Sequence, residues 1–141
     1  MSVNARSRAR SWALHLLYAW DLGDTHQSPS PFARAALERR RMSGRYRPYA
    51  LKLVDTVDEH LREIDALIQE YSANWRLERL SVVDRNVLRI GVAELRWIKD
   101  VPPGAAIHEA MRLATRYGGD ESTGFVNAIL DAVRKEDAPT G

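Results

Sequence analysis

Three arginines open the chain at alternate positions, Arg6, Arg8 and Arg10. In the first turns of a helix they oppose its dipole, at a cost of about 0.3–1 kcal/mol each at an exposed site. Charge set against local stability is better explained by an anionic ligand than by solubility, and a guanidinium fork matches phosphate oxygens. On a helical projection Arg6 and Arg10 flank one edge of an apolar stripe and Arg8 lies near the other. All three are expected to border the buried face without entering it. Further along, Glu94 projects into the middle of an apolar arc of Val87, Ile90, Gly91, Leu95 and Ile98, with Arg89 almost opposite. A buried carboxylate needs a partner or a proton, and backbone N–H groups or a core arginine are the expected source. Leu14 and Tyr18, one turn apart, fall outside the stripe of the first helix and are expected to be exposed as a protein contact.

Catalytic chemistry finds no such support. His15, His26, His60 and His108 are scattered, and His108-Glu109 lacks the second histidine of the zinc-protease helix motif. With no cysteine, disulfides, thiolate nucleophiles and cysteine-ligated zinc are excluded. Asp55, Asp58, Glu59, Glu63 and Asp65 lie along one predicted helix and read as a solvated face. No cofactor is expected. The chain's 141 residues, 45% of them apolar, suit a single domain with its own core. No apolar run is long enough to span a membrane, and no hydrophobic run follows the basic N-terminus as in a secretory signal. A cytoplasmic protein is expected.

The net charge is only +2, but it is unevenly spread. Residues 1–50 hold nine arginines against three acids, whereas 51–141 hold twelve basic residues against sixteen acids. A basic half on an acidic body suggests two partner surfaces. Only Lys52, Lys99 and Lys135 among the basic residues are lysine. That preference suits RNA, although GC-rich coding would produce it equally well without producing the asymmetry.

The elements that must position these residues are all helical, with no convincing strand. Trp12, Ala13, Leu16, Leu17 and Trp20 place one helix over about 4–20. Pro31 starts another over about 32–42, stopped at Ser43-Gly44. Tyr46, Tyr49, Leu53, Val57, Leu61, Ile64, Ile68 and Tyr71 recur at threes and fours and predict one long helix over 46–71, with Asp58 and Arg62 as an exposed pair. An irregular stretch at 72–81 containing Trp75 precedes a helix over 82–98. Pro102-Pro103-Gly104 introduces another over 105–117, stopped by Gly118-Gly119. Ser122 is the expected N-cap of a last helix over 123–135, with Phe125, Val126, Ile129, Leu130 and Val133 inward. Residues 136–141 read as a frayed tail. Short connections between amphipathic helices imply an all-α compact bundle.

Three segments together resemble the NusB family of transcription antitermination proteins. They are Arg6-Ser-Arg-Ala-Arg10 leading to Ala13-Leu14-His-Leu-Leu17-Tyr18-Ala-Trp20; Trp75-Arg-Leu-Glu-Arg-Leu80-Ser-Val-Val-Asp84-Arg-Asn-Val-Leu-Arg89-Ile90 leading to Glu94-Leu95; and Val101-Pro102 through Ile107-His-Glu109-Ala110 and Tyr117-Gly118 to Ser122-Thr-Gly-Phe125-Val-Asn127-Ala-Ile-Leu130-Asp131. The resemblance implies about six or seven helices in two packed subdomains and no catalysis. It implies binding of boxA-type single-stranded RNA in nascent ribosomal transcripts, partnership with the ribosomal protein NusE, and indirect contact with other Nus factors and RNA polymerase. Carried over by position, Arg6, Arg8 and Arg10 resemble the phosphate-binding edge. Glu121, Thr123, Phe125 and Asn127 resemble the other side of the RNA surface. Tyr18, Asp84 and Arg85 match partner-facing positions. Gly124 stands where the family often has Lys, Ala128 where it commonly has Gly, and Ser7 where a further Arg is frequent; a lost Lys implies a shallower salt dependence. Two other readings remain: a helical protein-interaction module with incidental RNA contact, and a piece of an RNA methyltransferase carrying a NusB-like domain.

Overall fold

The computed structural model describes residues 3–23, 26–40, 44–73 and 75–136. Seven α-helices account for most of them: α1 (Val3–Gly23), α2 (Pro29–Glu38), α3 (Arg47–Glu59), α4 (Leu61–Tyr71), α5 (Val82–Trp97), α6 (Pro103–Tyr117) and α7 (Ser122–Glu136). A 3-10 turn over Leu77–Arg79 precedes α5, and no strand occurs among the described residues. The all-α expectation is thus met. Helices α1, α2 and α3 pack on one another, and α4, α6 and α7 gather round α5, which also touches α1 and α3. The two subdomains therefore share α5 as a common wall. That position makes α5 buried on nearly every side, with Asn86 through Glu94 all inaccessible.

Local chemistry sets the boundaries. Proline occupies the first turn of α2, α3 and α6, where its missing N–H costs nothing. Ser81 caps α5: its Oγ accepts the Asp84 N–H at 3.0 Å, and Asp84 adds negative charge at the positive end. The Gly118 N–H donates to the Ala114 carbonyl at 2.8 Å and closes α6. A Cβ on Gly118 would lie 2.6 Å from Ser122 Oγ and 2.7 Å from the Ala114 oxygen, so glycine is required there for space. Ser122 differs from its expected role. It is the first residue of α7, and its Oγ accepts the Gly119 N–H at 2.9 Å, tying the α6–α7 turn rather than capping α7.

The long helix expected over 46–71 is two helices. His60 leaves helical geometry at φ −119°, ψ 21°, and its ring stacks on Trp97 with centroids 3.9 Å apart and planes 4° from parallel. The apolar period continues across the break, but its partners change: α3 packs on α1, α2 and α5, and α4 on α5 and α7. Nor does Asp58 serve as a surface partner for Arg62; its Oδ2 accepts the Ser30 N–H at 2.8 Å. Asp55 binds Ser30 and Arg34, and Asp65 binds Arg89, so of the expected solvated acidic face only Glu59 and Glu63 are exposed, while the three aspartates tie helices together. The stop expected at Ser43 and the tail beyond Glu136 lie outside the described residues.

Helices α5 and α7 approach tightly at Gly91. A Cβ on Gly91 would sit 2.6 Å and 2.9 Å from the two Leu130 methyls, and Leu130 is itself fully buried. Gly91→Ala is expected to lose about 1–3 kcal/mol by overpacking. Urea unfolding should show a lower midpoint at unchanged slope, partly restored by Leu130→Val. An unchanged midpoint would mean that Leu130 has room to turn away.

Candidate RNA and partner interface

Helix α1 sends its three arginines to three different environments. Arg6 is about a quarter exposed and pairs with Asp100 at 2.5 Å, its guanidinium 4.6 Å above the Tyr49 ring. The hydrogen bond to Asp100 is the main reason the Arg6 pKa is raised, and the same bond holds Asp100 below the usual carboxylate range. An exposed pair of this kind is worth little and yields readily to phosphate. Arg8 is exposed, its Nη1 3.3 Å from the Tyr46 hydroxyl and its guanidinium 5.8 Å from that ring's centroid.

Arg10 is the correction. It does not border the core but enters it, with 4% of its surface accessible. Its Nε donates to both Glu94 oxygens at 3.0 and 2.8 Å, and its Nη1 lies 3.6 Å from Glu109. Direct phosphate contact by Arg10 is contradicted by this burial. The partner expected for Glu94 is therefore a core arginine, joined by the Tyr49 hydroxyl, which donates to Glu94 in a short hydrogen bond. Burial pushes the Glu94 carboxyl upward; Arg10 and Tyr49 oppose this without cancelling it. Burial likewise raises the Tyr49 phenol, reinforced by Glu94. Glu109 is pushed up by burial, but Ser7 at 2.6 Å and Arg112 at 2.8 Å outweigh that and hold it low.

On the expected partner side, Tyr18 is 39% exposed and Leu14 only 3%. Leu14 is thus buried, contrary to expectation, because α5 covers that edge of α1. The exposed leucine one turn from Tyr18 is Leu22, at 64%. Arg85 does not present its charge outward either. Its side chain is 12% exposed, donating Nε to Asp21 at 2.7 Å and Nη1 to the Leu77 carbonyl at 3.1 Å. Arg89, placed opposite the apolar arc by projection, is buried as well, forked on Asp65 and bound to Asp21. A helix walled on both sides has no outward face for it.

The α6–α7 turn presents the remaining predicted residues. Glu121 and Asn127 are exposed, Thr123 and Phe125 half-buried. Thr123 Oγ1 lies 2.8 Å from Thr115 Oγ1, fastening the first turn of α7 to α6. Phe125 and Glu121 line a cavity of about 550 Å³ with Trp75, Arg79 and Asp84. Asn127 and the N-terminal arginines do not reach it. Asp84 Oδ1 is buried without a hydrogen-bond partner among the described residues. Trp75, 57% exposed, and Arg79 were not singled out as site residues by the sequence. The available signal was a large aromatic in an irregular stretch, with no helical stripe to bury it.

An all-helical fold that combines exposed arginines and aromatic rings at a turn defines a binding module. A family model described as the NusB family matches residues 7–135. Proteins named transcription antitermination protein NusB are similar: that of Myxococcus xanthus is 39% identical, covering 93% of this chain and 95% of its own length. That of a Nocardioides species is 44% identical, covering 93% and 94%. Among solved structures, T. maritima NusB has a TM-score of 0.82 at 36% identity, covering 95% of this chain and 93% of that one. A structure of the antitermination factors NusB and NusE in complex with dsRNA has a TM-score of 0.79 at 34% identity, covering 96% and 99%. The chain belongs to the NusB family.

Proposed function

We propose that this protein is a transcription antitermination factor that holds boxA-type RNA of nascent transcripts together with NusE. The observation that carries this reading is its likeness, over almost the whole of both chains, to a NusB crystallised with NusE and RNA. In this reading Arg6 and Arg8 meet phosphates, which fix register. Phe125 supplies a ring for an unstacked base, with Trp75 across the same cavity, and Glu121, Thr123 and Asn127 flank it. Tyr18 and Asp84 face NusE. Arg10 and Arg85 act behind the surface as positioning residues, through Glu94 and through Asp21.

Fluorescence anisotropy of a labelled boxA-type RNA, titrated with and without NusE against a scrambled control, tests this. Binding should be selective and should tighten with NusE, since the two ligands are then positively coupled. Phe125→Ala should weaken the specific RNA by roughly 5- to 150-fold, the worth of one stacked base at about 1–3 kcal/mol. Equal affinity for both RNAs, indifferent to NusE, would leave a protein-interaction module as the better account.

A further inference from the structure

We infer that the groove between the start of α1, the end of α2 and the C-terminal half of α6 is a second RNA site, which takes single-stranded RNA flanking the element held at the α6–α7 turn. The inference rests on the RNA-binding reading above and extends it from Arg8, which that reading already uses, to a surface that shares no residue with the Phe125 cavity. Arg8, Arg40, Arg112 and Arg116 line a groove of about 530 Å³, and no carboxylate is among its lining residues. In a chain of net charge +2, four guanidiniums around one depression, of which Arg112 is paired with the Glu109 carboxylate behind it, concentrate positive potential there.

Apart from Ser7 and Ser11, the rest of the wall is aromatic: Trp12, Tyr46, Tyr117 and His15. Guanidiniums already lie against two of these rings, Arg116 at 5.4 Å from the centroid of Tyr117 and Arg8 at 5.8 Å from that of Tyr46. Alternating cations and rings suit a strand with both phosphates and bases, whereas an acidic polypeptide would use only the cations. Arg112 is preorganised: Glu109 takes its Nε at 2.8 Å and the Ser7 carbonyl its Nη2 at 2.9 Å. His15 is oriented too. Its Nδ1 lies 2.7 Å from the Ser11 carbonyl, which can only accept, so in the neutral ring Nε2 is left as an acceptor. The groove adjoins the Tyr18 side of the molecule, because His15 and Tyr117 also line the small pocket of Leu14, Tyr18 and Val83.

The test uses the complex with NusE and two RNAs, a minimal boxA-type element and the same element with single-stranded flanks. The flanks should tighten binding to the natural protein. Arg40→Ala with Arg116→Ala, both on exposed side chains, should abolish that gain and leave the minimal RNA unaffected. The slope of log affinity against log salt on the flanked RNA should become shallower by about 1.4, two single-strand phosphate contacts. No gain from the flanks, or a gain that survives both substitutions, overturns the groove's role while leaving the RNA reading standing. Displacement of the flanked RNA by polyglutamate as effectively as by polyuridylate of equal charge overturns it in favour of an acidic protein. Failure of both RNAs on the natural complex overturns the RNA reading itself, and the groove's role with it.

Discussion

Arg10→Ala is expected to destabilise the fold by on the order of 3–5 kcal/mol, because it leaves Glu94 charged, 1% exposed and without its cation. For a chain of this length that is a fall in Tm on the order of 10 °C. The pH dependence identifies the cause. Burial already raises the Glu94 carboxyl against the pull of Arg10, and without Arg10 it must rise further. An acid whose folded pKa exceeds its unfolded value takes up a proton on folding. Its penalty is absent below the unfolded carboxylate value, about 4.3, and grows as pH rises toward the folded one. The difference between variant and natural protein should therefore be smaller at about pH 5 than at about pH 8. Adding Glu94→Gln, which removes the buried charge and keeps an acceptor for Tyr49, should recover part of the loss. A deficit that is constant with pH would show that no stranded carboxylate causes it. At a temperature where the variant is folded, its RNA salt slope should match the natural one; a slope shallower by about 0.7 would return Arg10 to the phosphate contacts.

Arg10 also marks the limit of what the sequence makes legible. The stripes of α1 and α5 follow from their apolar spacing, and Glu94 announces a buried partner by its place in the arc. Which arginine answers it does not follow, because projection treats each helix as if it had one buried side. Helix α1 packs on α2, α3 and α5, and α5 on five helices, so the buried arcs are wider than any single stripe and take in Arg10, Arg89 and Leu14. The break at His60 is hidden for a related reason: no glycine or proline marks it, and the apolar period runs through it while the packing partner changes. Exposed features fare better. Tyr18 is exposed, as its place outside the stripe predicts, and Glu121 and Asn127 are exposed as the resemblance implies. The arginine groove is assembled from three separated stretches, and only Arg8 among its cations belongs to a motif.

Asp21→Ala should have the next largest effect on stability, and a different signature. Asp21 Oδ2 accepts from Arg85 at 2.7 Å, Asn86 at 2.9 Å and Arg89 at 3.0 Å. Arg89 would keep its fork on Asp65, and Asn86 its bond to the Val82 carbonyl, so the loss should be about 3 kcal/mol, at the low end for a broken buried pair. Burial pushes Asp21 up, but the three donors outweigh it and hold the carboxyl below its ordinary value. Its contribution is thus complete above the unfolded carboxylate pKa and is lost as pH falls through the folded one. The deficit of Asp21→Ala should stay level from about pH 8 to about pH 4 and close only below that, whereas that of Arg10→Ala should already be closing above it. The two networks also support different parts of the surface. Through Arg85, Asp21 holds the Leu77 and Leu80 carbonyls, and hence the 3-10 turn that follows Trp75. Releasing it should speed amide exchange at Arg79 and Leu80, whose N–H groups bond within that turn. It should also weaken any ligand that depends on the Phe125 cavity, while contacts made through Arg8 persist. Unchanged exchange at those amides would show that the turn is held by its own hydrogen bonds, and that Arg85 rests against it without supporting it.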